Sequence, residues 1–244
     1  MPTISVIIPT RNEEKLLSQC LEQFTSELKK RFGIEIIVSD GDSSDGTIAI
    51  AIRYADKVAT HEDHAQRQTI AEGRNRGAAI ASAGILMFLN ADTVIPEPAG
   101  FIERIISRLQ NDPKLLAIAV KVEVNPAERK LSDRIFHGFF NQYVRLINGL
   151  GIAMARGECQ IVRREAYLKI GGYNPSLAAG EDYEFFRRLH AVGKVIYDPQ
   201  LLVYESPRRY RKYGYAKVYS QWIKNAFSVL LKKKAASEIW EEVR

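Results

Sequence analysis

The stretch Ile85–Thr93, I-L-M-F-L-N-A-D-T, restricts the fold more than any other part of the chain. Five consecutive apolar residues between Gly84 and a polar N-A-D-T read as a central strand covered on both faces. A buried helix looks similar over so few residues; the flanking glycine and turn formers favour the strand. Its carboxyl end delivers Asn90 and Asp92, and alternate positions can face the same side. In open α/β sheets, ligands bind at that end. A carboxylate there can hold a hard divalent cation, and the cation a phosphate. The plainer alternative is that Asn90 and Asp92 cap a turn or the next helix.

The flanking pattern supplies the rest of an α/β sheet. Ile4–Ile8 is a β-branched run ended by Pro9. Leu16, Leu17, Cys20, Leu21, Phe24 and Leu28 follow at helical spacing, and Glu35–Ser39 reads as the next strand. This is a β-α-β unit, expected to be parallel and right-handed. Lys57–Thr60 forms a short third strand. Gln66–Ser82 reads as a helix with a face of small residues, where Gly73 and Gly77 cost stability but permit close packing. Pro96 and Pro98 start a helix that Asn111-Asp112-Pro113 ends, ahead of a strand over Leu116–Val124. The second half is less regular. Leu131–Leu150 reads as a helix with a broad aromatic face. That face could be a pocket wall or a membrane-facing surface, and core packing is the default. Cys159–Val162 reads as a strand, Glu165–Ile170 as a helix, and Val195–Tyr197 and Leu201–Tyr204 as two short strands.

Composition narrows the function classes. The net charge of +6 suits a phosphate-bearing ligand or an acidic membrane surface and does not by itself indicate nucleic acid. Cys20 and Cys159 lack metal-ligand spacing and read as reduced thiols of a cytosolic protein. No apolar run approaches the roughly 20 residues of a membrane span. The chain enters a strand directly after M-P-T, with no evident signal segment. A cytoplasmic location is therefore expected.

Several loops carry candidate chemistry. Asp40-Gly41-Asp42-Ser43-Ser44-Asp45-Gly46-Thr47 sets carboxylates at a strand end, where they can accept from a ribose or a base N–H; a solvated acidic loop is the plain alternative. Arg74 and Arg76 suit a diphosphate, because a guanidinium matches phosphate oxygens; alternatively both are exposed helix charges. His61-Glu62-Asp63-His64 resembles a metal site only by chance spacing. Glu181-Asp182 opens a helix and is either a dipole-favoured charge pair or an acid/base site. The G-x-G-x-x-G of a dinucleotide oxidoreductase is absent after the first strand. So is the long glycine-rich loop that a sugar-phosphate nucleotidyltransferase would want.

Taken in order, S-V-I-I-P-T-R-N-E-E at Ser5–Glu14, V-S-D-G-D-S-S-D-G-T at Val38–Thr47, R-N-R-G at Arg74–Gly77, F-L-N-A-D-T at Phe88–Thr93, G-G-Y-N at Gly171–Asn174 and G-E-D at Gly180–Asp182 resemble the family-2 glycosyltransferases. Each segment is weak alone; the ordered set, over roughly the first 205 residues, is specific. The resemblance implies a GT-A fold: one three-layer α/β/α domain with a mostly parallel central sheet, here with a C-terminal helical extension. It divides the chain into a glycosyltransferase domain over 1–209, with a nucleotide-sugar half (1–124) and an acceptor-side half (125–209), and an extension over 210–244. It implies a nucleotide-diphospho-sugar donor, UDP- or GDP-linked, an acceptor hydroxyl that is lipid-linked in many relatives, a divalent metal (Mg or Mn), and usually inversion at the anomeric carbon. Pro9, Thr10, Glu13, Asp40 and Asn90 would line the donor nucleotide site and Arg74 would approach the diphosphate. Asp92 would bind the metal with Glu205 as partner. Asp182 would be the general base, with Glu181 as the alternative base or an acceptor-orienting group.

Three departures stand out. The usual Asp-x-Asp is Asn90-Ala91-Asp92, the usual D-D-G-S is S-D-G-D, and Glu205 occupies the place where a histidine often stands. The altered metal motif keeps a second reading open, a non-catalytic nucleotide-sugar-binding or membrane-associated protein. Tyr213–Leu231 sets Tyr215, Tyr219 and Trp222 among lysines, a pattern that suits a helix in a membrane interface. Arg208, Arg209, Arg211 and Lys212 before it, and the Lys232–Lys234 run after it, would add attraction to anionic lipid. Packing on the domain or in a homodimer is the alternative.

Overall fold

The computed structural model describes residues 2–61 and 67–232. In chain order the elements are β1 (Ile4–Thr10), α1 (Leu17–Glu22), α2 (Ser26–Phe32), β2 (Ile34–Asp40), α3 (Thr47–Tyr54), β3 (Lys57–Thr60), α4 (Ile70–Ala79), β4 (Ile85–Leu89), α5 (Pro98–Asn111), β5 (Leu115–Val124), α6 (Leu131–Gly149), β6 (Cys159–Arg163), α7 (Arg164–Lys169), α8 (Glu181–Val192), β7 (Lys194–Glu205), α9 (Arg208–Tyr213) and α10 (Tyr215–Lys232). The strands form one seven-stranded sheet in the order β3-β2-β1-β4-β6-β5-β7. β1 pairs in parallel with β2 and β4, β2 with β3, and β5 with β7. Only β6 runs antiparallel to its neighbours β4 and β5.

β4 lies in the middle of this order, and Leu86, Met87, Phe88 and Leu89 are all fully buried. The two faces of the sheet carry separate cores. One packs α1, α2 and α5 against Val6, Ile36, Met87 and Ile118. The other packs α4, α7 and α8 against Ile7, Ile37, Phe88 and Ala117. Gly77 sets the spacing of the second layer. A Cβ there would lie 2.5 Å from Ile7 Cγ2, so α4 sits on β1 more closely than any larger residue allows.

Four elements differ from the sequence expectation. The first helix is two, with the break between Glu22 and Ser26 held by the Gln23 side chain. Its amide donates to Cys20 O and Thr93 O and accepts from Ile95 N–H, and Thr25 then caps α2. α4 starts at Ile70 rather than Gln66, where Thr69 and Glu72 form a reciprocal capping box. The two late strands are one, β7, with a register irregularity opposite Val120 and Lys121 that absorbs the Asp198-Pro199 step. The aromatic side chains described on α10 turn onto the domain: Tyr215 and Trp222 sit 4.3 and 6.1 Å from the Phe136 ring of α6. Over this stretch the helix packs on the domain, as the alternative to the interfacial reading held. Among the described residues no helix is long and apolar enough to cross a membrane. Cys20 and Cys159 are free and buried.

Candidate active site

The carboxyl ends of β1, β2 and β4 open into a cavity of about 260 Å³. Pro9, Thr10, Glu13 and Gly41 line it from the first two strands, and Asn90 and Asp92 from the third. Glu158, Glu205, Arg208, Tyr210 and Trp222 close the far side.

The donor-side wall is tied together by its own polar groups. Thr10 stands opposite Asp40 in the β1–β2 register. Its hydroxyl donates to Asp40 Oδ1 at 3.0 Å, and Ser43 donates to Asp40 through both its N–H, at 2.8 Å, and its hydroxyl, at 2.6 Å. Asp40 is fully buried and does not line the cavity, contrary to the expectation that it would; Thr10 and Gly41 do. Its lone pairs are spent on fixing the loop. Asn12, at φ 53°, accepts from Ser44 N–H at 2.7 Å and locks the first loop to the second. Asn tolerates this left-handed conformation because its short side chain bonds locally.

Arg74 is placed differently from the expectation. It is neither exposed nor directed into the donor loops. The guanidinium is 1% exposed and donates to Glu181 Oε1 at 2.8 Å, to Asn90 Oδ1 at 3.2 Å and to the Gly157 carbonyl at 2.7 Å. Its plane lies over the Tyr173 ring, 5.2 Å from the centroid. Asn90, where the usual motif has a carboxylate, therefore accepts a hydrogen bond from a buried cation.

Glu181 and Asp182 follow Gly180, whose φ of 79° turns the chain into α8. Glu181 is committed to Arg74. Asp182 Oδ1 accepts from the Tyr183 N–H at 2.8 Å. Burial raises the Asp182 carboxyl to about 7; the neighbouring Glu181 charge adds to this and Arg74 partly offsets it. The pair does not itself line the cavity. It lies against Gly157, where a Cβ would come within 3.2 Å of Arg74 Nη2 and 3.4 Å of Asp182 Oδ2. Gly157 precedes the cavity residue Glu158, so the peptide between wall and carboxylate is kept thin. Of the two candidate bases, Asp182 is the one without a cation bound to it.

Glu205 is also differently engaged than expected. It is ion-paired with Arg156, accepts from the Tyr210 hydroxyl at 3.0 Å, and lies 3.4 Å from His137 Nδ1. Arg156 also donates to Glu158 at 2.9 Å. Burial raises the Glu205 carboxyl well above the usual range, Arg156 pulls against this, and the Glu158 charge pushes it higher. His137 is driven down to about 3 by burial and by Arg156, so it is neutral. Two carboxylates around one arginine favour retention of one proton in this cluster. Asp92 is 17% exposed and faces Arg208 at 3.3 Å, and Arg208 also donates to Glu13 at 2.6 Å. Burial raises Asp92, and Arg208 opposes the shift.

Among the described residues no group of three His, Cys, Asp or Glu side chains converges as a metal cage. A nucleotide-bound Mg²⁺ or Mn²⁺ needs only one or two carboxylates besides phosphate and water. Asp92, a part-exposed carboxylate that lines the cavity, fits that requirement, with its contact to Arg208 exchanged for the metal. Glu205 is held by Arg156 and does not stand free beside it. Of the His61–His64 stretch only His61 lies among the described residues, 2.8 Å from Arg76 Nη2.

Sequence reasoning missed Arg156 and Glu158, whose only signal is a charged R-G-E just before a strand. It assigned Arg208 and Arg211 to lipid; the first instead pairs with Glu13 and Asp92 and the second with Asp133.

The sequence profile of Glycosyl transferase family 2 matches residues 5–171. The chain belongs to that family. An uncharacterized glycosyltransferase of Haemophilus influenzae is 26% identical over 197 residues, covering 76% of this chain and 61% of its own. The dolichyl-phosphate beta-glucosyltransferase of Mus musculus is 28% identical over 153 residues, 57% of this chain and 47% of its own. Among solved structures, the mannosyltransferase PcManGT of Pyrobaculum calidifontis, in complex with GDP-Man and Mn²⁺, superposes with a TM-score of 0.71 at 20% identity, over 95% of this chain and 64% of that one. Glucosyl-3-phosphoglycerate synthase of Mycobacterium tuberculosis, with Mn²⁺, UDP and glucosyl-3-phosphoglycerate, gives 0.59 at 17% identity, over 99% and 82%. These likenesses establish the GT-A fold for this family-2 member. The chain spans under two thirds of the Haemophilus, mouse and Pyrobaculum proteins.

Proposed function

We propose that this family-2 chain transfers a glycosyl group from a UDP- or GDP-sugar to an acceptor hydroxyl, with Mg²⁺ or Mn²⁺ and with inversion. The observation that carries the reading is the placement, at the carboxyl ends of β1, β2 and β4, of a cavity lined by Asp92, Arg208 and Arg209 with the Asp182 carboxylate just behind it at Gly157. The GDP-Man and Mn²⁺ of the Pyrobaculum complex, and the UDP and Mn²⁺ of the Mycobacterium one, support the donor class.

Each residue has a part. Pro9, Thr10 and Gly41 form the nucleoside wall. Asp92 would hold the metal, which when bound neutralises charge on the leaving diphosphate. Arg208, now on Asp92 and Glu13, is within reach of the same charge. Arg74 fixes Glu181 and thereby the start of α8. Asp182 takes the acceptor hydroxyl's proton as that oxygen attacks the anomeric carbon. The carbon–oxygen bond to the diphosphate breaks as the new bond forms, and the proton remains on Asp182. A single displacement of this kind inverts the anomeric centre.

The test is a panel of UDP- and GDP-sugars with Mg²⁺ or Mn²⁺, read by nucleoside diphosphate release and product anomer. The expected result is release with one donor, stopped by chelator and restored by metal. Donor binding without release from any of them would replace this reading with a nucleotide-sugar-binding protein.

A further inference from the structure

α6 is apolar on two opposite faces. Inward, His137, Phe140, Asn141 and Val144 are buried against the sheet and Asp133 is buried beneath Arg211. Outward, Leu131, Ile135, Phe139, Tyr143, Leu146 and Leu150 are each between 40% and 72% exposed. Their spacing of three and four residues makes one continuous stripe. It runs the length of a 19-residue helix, about 28 Å. Among the described residues, α10 covers the flank that carries Phe136 and reaches Phe140. Contiguous apolar surface beyond roughly a few hundred Å² is uncommon on a monomer and marks an interaction site.

The charges choose the occupant. The helix has one acidic residue, Asp133, and it is buried; its exposed charges are Arg134 and Arg145, with Lys130 at the start. Lys212, Lys217 and Lys224 are exposed on the adjoining α9 and α10. A second copy docking antiparallel by the same face would set arginine against arginine along one flank. An anionic bilayer answers both features at once. It accepts the aliphatic and aromatic side chains at the acyl boundary and the cations at the headgroups.

We propose that the outward face of α6 is a docking surface for an anionic lipid bilayer. The proposal takes up the membrane-facing alternative left open for Leu131–Leu150 and places the contact on the helix that α10 braces rather than on α10. It does not depend on the transfer reaction. Trp222 of α10 both lines the donor cavity and packs on Phe140, so a bilayer on α6 would lie one helix away from that cavity.

The test is co-sedimentation of the full chain with vesicles of equimolar phosphatidylcholine and phosphatidylglycerol, and with phosphatidylcholine alone. The full chain should sediment with the mixed vesicles, less so at high salt, and weakly with the neutral ones. Ile135→Glu/Phe139→Glu should lower the partition at least about tenfold, since it removes two buried side chains and adds two repelled charges. Arg134→Gln/Arg145→Gln should weaken it less and flatten the salt dependence. All substituted positions are exposed, so melting temperature should be unchanged and certifies folding. Donor binding measured without vesicles separates this proposal from the catalytic one. Failure of the full chain to sediment, or indifference to Ile135→Glu/Phe139→Glu, overturns it. So does a concentration-dependent dimer that this variant abolishes while no vesicle is bound. So, too, does vesicle binding that appears only after Ile239→Ser/Trp240→Ser, which would make the C-terminal tail the cover of the stripe.

Discussion

The donor-side loops and the acceptor-side carboxylates use the same residue types for opposite ends. Around β1 and β2, the loop acids Asp40 and Asp45 are answered locally, while Glu13 takes Arg208 from α9. Asp40 is bonded by Thr10 and Ser43, and Asp45 by Thr47. Those bonds fix the backbone of the two loops. Across the sheet, acids outnumber the cations beside them. Arg74 serves Glu181 with Asp182 next to it, and Arg156 serves both Glu158 and Glu205. A carboxylate that is matched is a fastener; one left over in a buried cluster holds its proton near neutral pH and can exchange it. Arg74 belongs by sequence to the first region and by contacts to the second.

The largest effect that would separate the two regions is at Asp182. Asp182→Asn should lower transfer by roughly 10²–10⁴ while leaving donor affinity unchanged. An equal loss in donor affinity would erase the distinction, and full activity would remove Asp182 as base.

Next in size is Arg74→Met, which leaves Glu181 buried without its cation. The variant should lose about 3–5 kcal/mol of stability by denaturant titration. Arg74→Met/Glu181→Leu, which removes both charges, should recover much of it. A single variant as stable as the parent would show that the pair carries no structural burden.

Asp40→Asn tests the matched side. An amide cannot accept from both Ser43 groups and Thr10, so about 1–3 kcal/mol should be lost. The kinetic change should fall on donor KM and leave kcat within about threefold. A collapse of kcat would mean that Asp40 acts on the reacting atoms.

The smallest effect is in pH dependence, and its sign is fixed by Asp182. The carboxyl lies at about 7 in the folded chain, above its ordinary 3.8. As base it must be ionised, so kcat/KM should climb with pH to a plateau above about 7, and Asp182→Asn should lose that limb. For stability, the folded form binds the extra proton between those two values, so this group's contribution falls as pH rises through them. Asp182→Asn should therefore melt a few degrees above the parent at pH 8 and near it at pH 4. A gap that widens toward acid instead would contradict the raised carboxyl.

The alternation of apolar strands with helices, the burial of Ile85–Leu89 and the close seat at Gly77 could be read from the chain, because strand and helix periods are local properties of sequence. So could Asn90, Asp92 and Glu181-Asp182 as candidates, since turn residues after an apolar strand and acids at a helix start lie side by side in the chain. Which acid is matched could not. Arg74 meets Glu181 across 107 positions and Arg208 meets Glu13 across 195, and charge balance in a buried cluster depends on who arrives from elsewhere. The same holds for the apolar helices. In Leu131–Leu150 and Tyr213–Leu231 the sequence shows a broad apolar face on each helix, but only the packed chain decides which part of it meets the other helix and which faces water. Periodicity fixes how a helix can bury itself; the topology of the sheet fixes whether anything is there to cover it.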